Sequence, residues 1–175
     1  MPEIFCNGFK DMKNIIIISS LFFLAILFSC SSSNTHNNNS EMILDELPEI
    51  NDLFGPRGVS TFSLLISSAQ FSRAYSVSCK NIHYDIAVSV AGQFQKVVFI
   101  ATDDKAFVTP EELKINDSLA NVRSVTDNEI LTEPGWAFYI PLDSGWNAAF
   151  TEGESMTDNE LKSSSKIKFF FKRYR

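Results

Sequence analysis

Alternation of apolar and polar residues along the chain predicts two β-hairpins. In the first hairpin, residues 84–90 and 94–101 flank the pair Gly92-Gln93, and a Gly-X pair between two such runs favours a two-residue type II′ turn. In the second hairpin, residues 136–142 and 146–150 flank a longer loop. Each hairpin is predicted to contribute two antiparallel strands to one sheet.

The register of the second hairpin follows from the positions of its large apolar residues. A three-residue loop over residues 143–145 places every large apolar residue except Tyr139 on one face, and Gly145 supplies the positive φ that such a loop needs. A two-residue loop would separate Trp146 and Phe150 from the apolar residues of the first strand, because a slip of one residue turns side chains to the opposite face. The predicted pairs are Leu142 with Trp146, Ile140 with Ala148, and Phe138 with Phe150.

Capping residues predict three short helical segments. Residues 67–75 match a short helix with serines at its start. Residues 109–112, Thr-Pro-Glu-Glu, combine a capping threonine, a proline in the first turn and a glutamate that closes a capping box, which predicts about one turn of helix. Residues 117–123 predict a further short helix, capped by Asn116 or Asp117.

These elements recur along the chain with a spacing of about 50 residues. The helix near residues 68–75 precedes the hairpin at 84–101, and the helix near 117–124 precedes the hairpin at 135–151. Two tandem helix-plus-hairpin units would form a mostly antiparallel sheet with the helices on one face. With residues 166–171 as a C-terminal strand, the sequence predicts an α+β fold.

The N-terminal residues have the features of a secretory leader. Residues 15–28 form an apolar run of 14 residues interrupted only by two serines, and Lys10 and Lys13 precede it. A membrane-spanning helix needs about 20 apolar residues, so this run is too short to span a membrane and instead fits a signal peptide. We predict a signal peptide over residues 1–29, in which residues 1–11 are a start-site artefact.

The leader ends in Leu27-Phe28-Ser29-Cys30, which resembles the lipobox of bacterial lipoproteins. A leucine stands three positions before the cysteine and a small residue directly before it, although Phe28 is bulkier than is usual at the middle position. The resemblance implies cleavage before Cys30 and lipid attached to its thiol, so the membrane is the first predicted partner. By resemblance to lipoprotein sorting in two-membrane bacteria, the absence of Asp at Ser31 and Ser32 implies the outer membrane.

The mature chain divides into a tether, an arm and one domain. Residues 31–40 have neither a charge nor a large apolar side chain, so residues 30–40 are predicted to be a lipidated cysteine followed by a flexible tether. Residues 41–57 carry apolar side chains at roughly helical spacing around Pro48 and are predicted to dock as a short helix or arm. Residues 58–175 are predicted to form a single globular domain.

About 15 residues of this domain carry a second motif, formed by Thr109-Pro110-Glu111-Glu112-Leu113, Asn116-Asp117-Ser118 and Val122. These residues resemble a T-P-E-G-hydrophobic … G-D-S … V stretch of envelope lipoproteins, with Glu112 and Asn116 where that pattern has glycine. Some of the proteins that carry the pattern fold like the β-lactamase inhibitor protein, and those families bind proteins or stabilise envelope assemblies. The resemblance therefore implies a protein partner and no chemistry.

Composition and charge limit the partners and cofactors that the chain is predicted to bind. The chain is 45% hydrophobic, which indicates a globular domain, and its net charge of −6 argues against nucleic acid as a partner. His83 is the only histidine and Cys79 the only cysteine after residue 40, so neither a metal site nor a cofactor is predicted. A small hydrolase that uses His83 as its base stays open as an alternative, although no G-x-S-x-G motif accompanies it.

The pairs Gly135-Trp136 and Gly145-Trp146 are the strongest candidates for a binding surface. The register of the second hairpin favours both tryptophans as core residues, and the alternative is an exposed binding face formed by Trp136, Tyr139 and Trp146. The sequence thus predicts a lipid-anchored, non-catalytic envelope protein of a protein-binding or structural accessory type. An inhibitor or immunity lipoprotein directed against a secreted enzyme is a further alternative.

Overall fold

The computed structural model describes residues 42–174, which lie within one compact unit, Asn39–Arg175. This part of the chain contains nine strands and one five-residue helix, and both of its apolar clusters lie inside the unit. None of its helices is long and apolar enough to cross a membrane. The elements are β1 Met42–Leu44, β2 Phe62–Ser67, β3 Gln70–Cys79, β4 Ile82–Ala91, β5 Phe94–Thr102, α1 Leu119–Arg123, β6 Leu131–Glu133, β7 Ala137–Pro141, β8 Asn147–Phe150 and β9 Ile167–Arg173.

All nine strands join one sheet in the order β1-β3-β4-β5-β9-β8-β7-β6, with β2 also paired to β3. The first half of β3 pairs with β2 and its last three residues pair with β1. The β1–β3 pair is parallel, and every other strand pair is antiparallel. The C-terminal strand β9 lies between the two predicted hairpins and joins them, because it pairs with β5 on one side and with β8 on the other.

The predicted α+β fold, with helices covering one face of the sheet, is wrong. Residues 67–75, predicted as a helix, lie at the end of β2 and in β3. From Ser72 to Cys79, serine or alanine alternates with a larger residue, which is the period of a strand and puts Tyr75, Val77 and Cys79 on one face. The helix-plus-hairpin unit therefore does not repeat.

The predicted helical turn at residues 109–112 is also wrong. The backbone N–H of Thr109 donates to the carbonyl of Leu113 at 3.0 Å, and Glu112 has a φ of +66°, so the chain turns back there. The helix predicted over residues 117–123 is confirmed as α1. Its cap is Ser118 and not Asn116 or Asp117, because those two residues exchange backbone hydrogen bonds with Ile167 of β9.

Both predicted hairpins and the C-terminal strand are confirmed. Ala91 pairs with Phe94 across the Gly92-Gln93 turn, where only the glycine has a positive φ, as a type II′ turn requires. In the second hairpin Phe138 pairs with Phe150 and Ile140 with Ala148. The N–H of Leu142 donates to the carbonyl of Trp146 at 2.8 Å, and Gly145 has a φ of +82°.

The sheet carries an apolar cluster on each face. The N-terminal arm and the segment that contains Phe107, Leu113 and α1 cover the first face, and side chains of β2 pack into the cluster on the second face. The sequence predicted that Trp136 shares a face with Phe138 and Ile140. This prediction is wrong, because Trp136 belongs with Tyr139 to the second-face cluster. Buried members of the first face include Tyr75, Val77, Tyr84, Ile86, Val97, Ile100, Ile140, Trp146, Phe150 and Phe170.

Residues 42–57 lie along the first face as an extended arm. Leu44, Leu47, Ile50 and Phe54 pack against the first-face cluster, and the Phe54 ring meets the Tyr75 ring edge-on at 5.4 Å. Backbone hydrogen bonds tie the arm to β5, between Asn51 and Val97 and between Phe54 and Gln95. The arm continues the hydrogen bonding of β5 at the end that β9 does not reach.

Candidate functional site

A pocket of about 380 Å³ opens on the second face of the sheet. Phe99, Phe169 and Trp136 contribute aromatic surface to it, while Leu64 and Leu65 of β2 form one wall. Met156, from the loop after β8, borders it on another side and has a φ of +67°. A bulky residue in that conformation is strained, so the loop holds Met156 beside the pocket at an energetic cost.

A small residue in β5 makes room for this pocket. Ala101 lines the pocket and is paired with Asp85 of β4 on one side and Phe171 of β9 on the other. An alanine between larger neighbours leaves a depression on the sheet surface, and Leu64 and Leu65 of β2 line the same pocket. A larger side chain at this position would fill the pocket from below.

The polar residues of the pocket carry charges of both signs. Asp85 and His83 of β4, Asp103 after β5 and Lys168 of β9 all line it. Within residues 42–174, no side chain forms an ion pair or hydrogen bond with the carboxylate of Asp103 or the ammonium group of Lys168. These two exposed groups are therefore available to a ligand.

His83 is held at the start of β4 by backbone contacts. Its N–H donates to the Asp104 carboxylate at 2.9 Å, and its carbonyl accepts from the Thr102 hydroxyl at 2.7 Å. The Nε2 atom of its ring lies 3.4 Å from Ser76 Oγ and 3.5 Å from Asp85 Oδ1. A Ser-His-Asp relay places the serine and the acid on opposite ring nitrogens, and here both approach the same nitrogen.

The two aspartates beside His83 have opposite electrostatic environments. Burial raises the pKa of Asp85 above its ordinary value, although the neighbouring His83 opposes the shift. The backbone N–H groups of Ala106 and His83 donate to Asp104 and hold the pKa of that carboxyl below its usual range. Asp104 thus fixes the local backbone, whereas folding destabilises the ionised form of Asp85.

The structure separates the three residues proposed from sequence as a binding face. Trp146 is buried on the first face, with its ring 4.8 Å from that of Phe107. Trp136 and Tyr139 are buried on the second face, and the Arg173 guanidinium lies over both rings at 5.6 and 5.0 Å. Of the three, only Trp136 borders the pocket. The lipidation candidate, Cys30, lies outside the described residues.

Apart from Trp136 and His83, sequence reasoning missed the residues of the pocket. Asp85 and Lys168 carry no motif, and only long-range strand pairing brings β4 and β9 onto one surface with β2. The weak signal available was an acidic residue, Asp85, on the same face of β4 as the apolar Ala87. Within residues 42–174, no group of three or more histidine, cysteine or acidic side chains is placed to hold a metal.

No protein-family model matches the chain, and no curated protein or solved structure is significantly similar to it.

Proposed function

We propose that this chain is a lipid-anchored, non-catalytic binding module of the cell envelope that holds an apolar side chain of a protein partner in the second-face pocket. The observation that carries the proposal is the pocket itself, a preformed concavity with aromatic surface and a charged border. Ligand sites are typically concave and mostly apolar, with a few polar groups that fix orientation. Lipid on Cys30 would hold this site close to the membrane surface.

The size of the pocket limits what enters it. Pockets for small ligands range over roughly 300–1,000 Å³, so a volume of about 380 Å³ suits a single aromatic or branched side chain. Asp103 and Lys168 line the pocket, where they would contact the polar backbone or neighbouring residues of a bound peptide. Charges of both signs would favour one orientation of that peptide over its reverse.

The unfavourable setting of Asp85 also supports a binding role. Burial destabilises the ionised form of the Asp85 carboxyl, and acids with perturbed pKa values cluster at functional sites. Asp85 pairs with Ala101 beneath the pocket and faces His83 at 3.5 Å. The same residues therefore define both the depression and its polar border.

A hydrolase is the second candidate, because Ser76 Oγ lies 3.4 Å from His83 Nε2. The common approach of Ser76 and Asp85 to one ring nitrogen argues against a relay and in favour of a structural histidine. His83→Ala and Ser76→Ala decide between the two functions. A hydrolase would lose turnover of model esters in both variants, whereas a binding module would have no turnover to lose.

Fluorescence of a single tryptophan tests the pocket directly. The chain has two tryptophans, so Trp146→Phe leaves Trp136 as a reporter at the pocket. N-acetyl amino-acid amides of leucine and phenylalanine mimic a partner side chain and should shift its emission, while those of aspartate and lysine should not. Burying one side chain contributes about 1.5–3 kcal/mol, so saturation is expected only in the millimolar range or above.

A matched pair of variants controls for indirect effects. Ala101→Leu fills the pocket and should abolish the response, whereas Ala120→Leu adds the same volume to an exposed position of α1 and should leave it intact. The reciprocal Trp136→Phe protein should give no response from Trp146, which lies on the other face. Absence of any shift with the apolar amides, or an equal shift in Ala101→Leu, would contradict the proposal.

The anchor has its own test. Cells grown with a labelled fatty acid should incorporate the label into the wild-type chain and not into Cys30→Ser. Label retained in Cys30→Ser would remove the membrane part of the proposal and leave the pocket part unaffected.

A further inference from the structure

Exposed apolar side chains gather where β4 and β5 turn. Val90 and Phe94 flank the Gly92-Gln93 turn, and Leu53 of the arm pairs with Lys96 just behind it. Phe71 stands at the start of β3, two residues before Arg73, which pairs with Val88. We call Leu53, Phe71, Val90 and Phe94 the apolar tip, and each of them is between 54% and 66% exposed.

The core does not account for the apolar tip. On the first face, the last buried side chains toward this end are Tyr75, Val88 and Val97. Phe71 and Val90 lie on the same face by strand alternation but are exposed to solvent. Phe94 alternates to the other face. Apolar side chains thus project from both faces of one hairpin end, where neither cluster can bury them. Grouped exposed apolar residues commonly mark an interaction surface.

Unpaired cations accompany the apolar tip. Arg73 and Lys96 are exposed, and within residues 42–174 no carboxylate lies in ion-pair distance of either. The nearby Asp52 carboxylate accepts the backbone N–H of Glu49 instead. Two cations and the Asp52 carboxylate thus lie near the apolar tip, a local excess of positive charge on a chain whose net charge is −6. Apolar side chains beside cations match the chemistry of a membrane surface that carries anionic lipid.

We propose that the apolar tip, together with Arg73 and Lys96, contacts a membrane surface that contains anionic lipid headgroups. The aromatic and aliphatic side chains enter the boundary between headgroups and acyl chains, while the two cations meet lipid phosphates. The apolar tip shares no residue with the pocket lining, although Leu65 of the pocket wall pairs with Phe71, and the proposal does not depend on what the pocket binds.

The length of chain before the sheet is compatible with this orientation. Met42 pairs with Val77, six residues along β3 from Phe71, which is about 20 Å. The twelve residues from Cys30 to Met42 can extend to roughly 40 Å. A lipid on Cys30 and the apolar tip can therefore reach the same membrane surface at once.

The orientation has a consequence for the pocket. His83 borders the pocket at the start of β4, and Val90 lies seven residues further along the same strand, about 23 Å away. With the apolar tip on the membrane, the His83 end of the pocket would lie farthest from the lipid surface, and the Leu65 wall, which pairs with Phe71, would lie closest to it.

Vesicle sedimentation tests the proposal with residues 39–175, the compact unit that contains the whole sheet and both clusters. The fragment should sediment with phosphatidylcholine vesicles that contain phosphatidylglycerol and much less with phosphatidylcholine alone. Removing Arg73 or Lys96 by substitution with Gln should weaken binding about fivefold for each cation. Added salt should reduce binding as it screens those charges.

Matched variants separate the apolar tip from general hydrophobicity. Phe71→Ser with Phe94→Ser should abolish sedimentation, whereas Val108→Ser with Val125→Ser, exposed elsewhere, should not. Lys105→Gln with Lys162→Gln is the charge control. Binding that ignores phosphatidylglycerol, or that falls equally in the tip and control variants, would overturn the proposal. A dimer that Phe71→Ser with Phe94→Ser dissociates would also overturn it, in favour of a second copy as the occupant.

Discussion

At the scale of single residues, the fold destabilises the charged form of Asp85. Its pKa is raised mainly by burial, so the folded chain binds a proton there more tightly than the unfolded chain does. Stability contributed by that proton is present at low pH and is lost as pH rises from the ordinary value of 3.8 through the raised one. At neutral pH the ionised Asp85 is therefore a net cost to the fold.

Asp85→Asn should consequently stabilise the protein at pH 7 and have less effect at about pH 3, where the carboxyl is already protonated in both states. Urea unfolding at the two pH values measures the difference. An Asn variant that is less stable than wild type at pH 7 would show that the contact between Asp85 and His83 outweighs the cost of burial.

Arg173 illustrates the opposite case, a charge that its neighbours stabilise. Burial disfavours the guanidinium, but hydrogen bonds to Glu133 and Tyr139 outweigh that effect and raise the Arg173 pKa. Trp136 also lies beneath it. The ionised Arg173 thus fixes the second-face aromatic cluster behind the pocket.

Glu133→Gln should destabilise the fold by about 2 kcal/mol, because it weakens a charge-assisted hydrogen bond to a partly buried cation. Glu49→Gln is the control, since the Lys172–Glu49 pair at 3.4 Å involves a mostly exposed carboxylate and should contribute less than about 0.5 kcal/mol. Chemical denaturation of the two variants gives the comparison. Equal losses of unfolding free energy in the two variants would mean that burial does not strengthen the Arg173–Glu133 pair.

At the scale of elements, the β7–β8 hairpin depends on one backbone conformation. Gly145 has a φ of +82° and no atom within 4 Å of the position a Cβ would take. Gly145→Ala therefore introduces backbone strain without a clash and should cost about 1 kcal/mol. Gly55→Ala is a matched control, because its added Cβ meets Gln95 at an ordinary 3.6 Å and φ is not positive. Thermal unfolding should shift for the first variant and stay nearly unchanged for the second.

At the scale of the whole molecule, the sheet shields one tryptophan on each face. Trp136 is 4% and Trp146 6% exposed. Acrylamide should therefore quench each single-tryptophan variant weakly in the native state and strongly in urea. Efficient quenching of native Trp136, with Trp146 still protected, would indicate that β2 and Met156 move away from the pocket in solution.

The fold as a whole could be predicted only in its local parts. The two hairpins, α1 and β9 follow from turn residues, polar capping residues and alternation, all of which act between neighbours in the chain, although α1 is capped by Ser118 and not by Asn116 or Asp117 as predicted. β3 was missed because its serines also suit a helix start, and the choice between helix and strand depends on the partners at its two edges. Those partners are β4 on one side and β1 and β2 on the other.

The sequence by itself determined the register of the second hairpin, the Gly145 and Gly92 turns and a short helix within residues 117–123, because each depends on the conformational preferences of a few consecutive residues. Only the tertiary structure decided that β9 joins the two hairpins, that Trp136 and Trp146 lie on opposite faces, and that Leu64, Asp85 and Lys168 border one pocket. Pairing between distant strands sets those positions. Its free energy comes from burying two sheet faces at once, and no short segment of the chain contains that information.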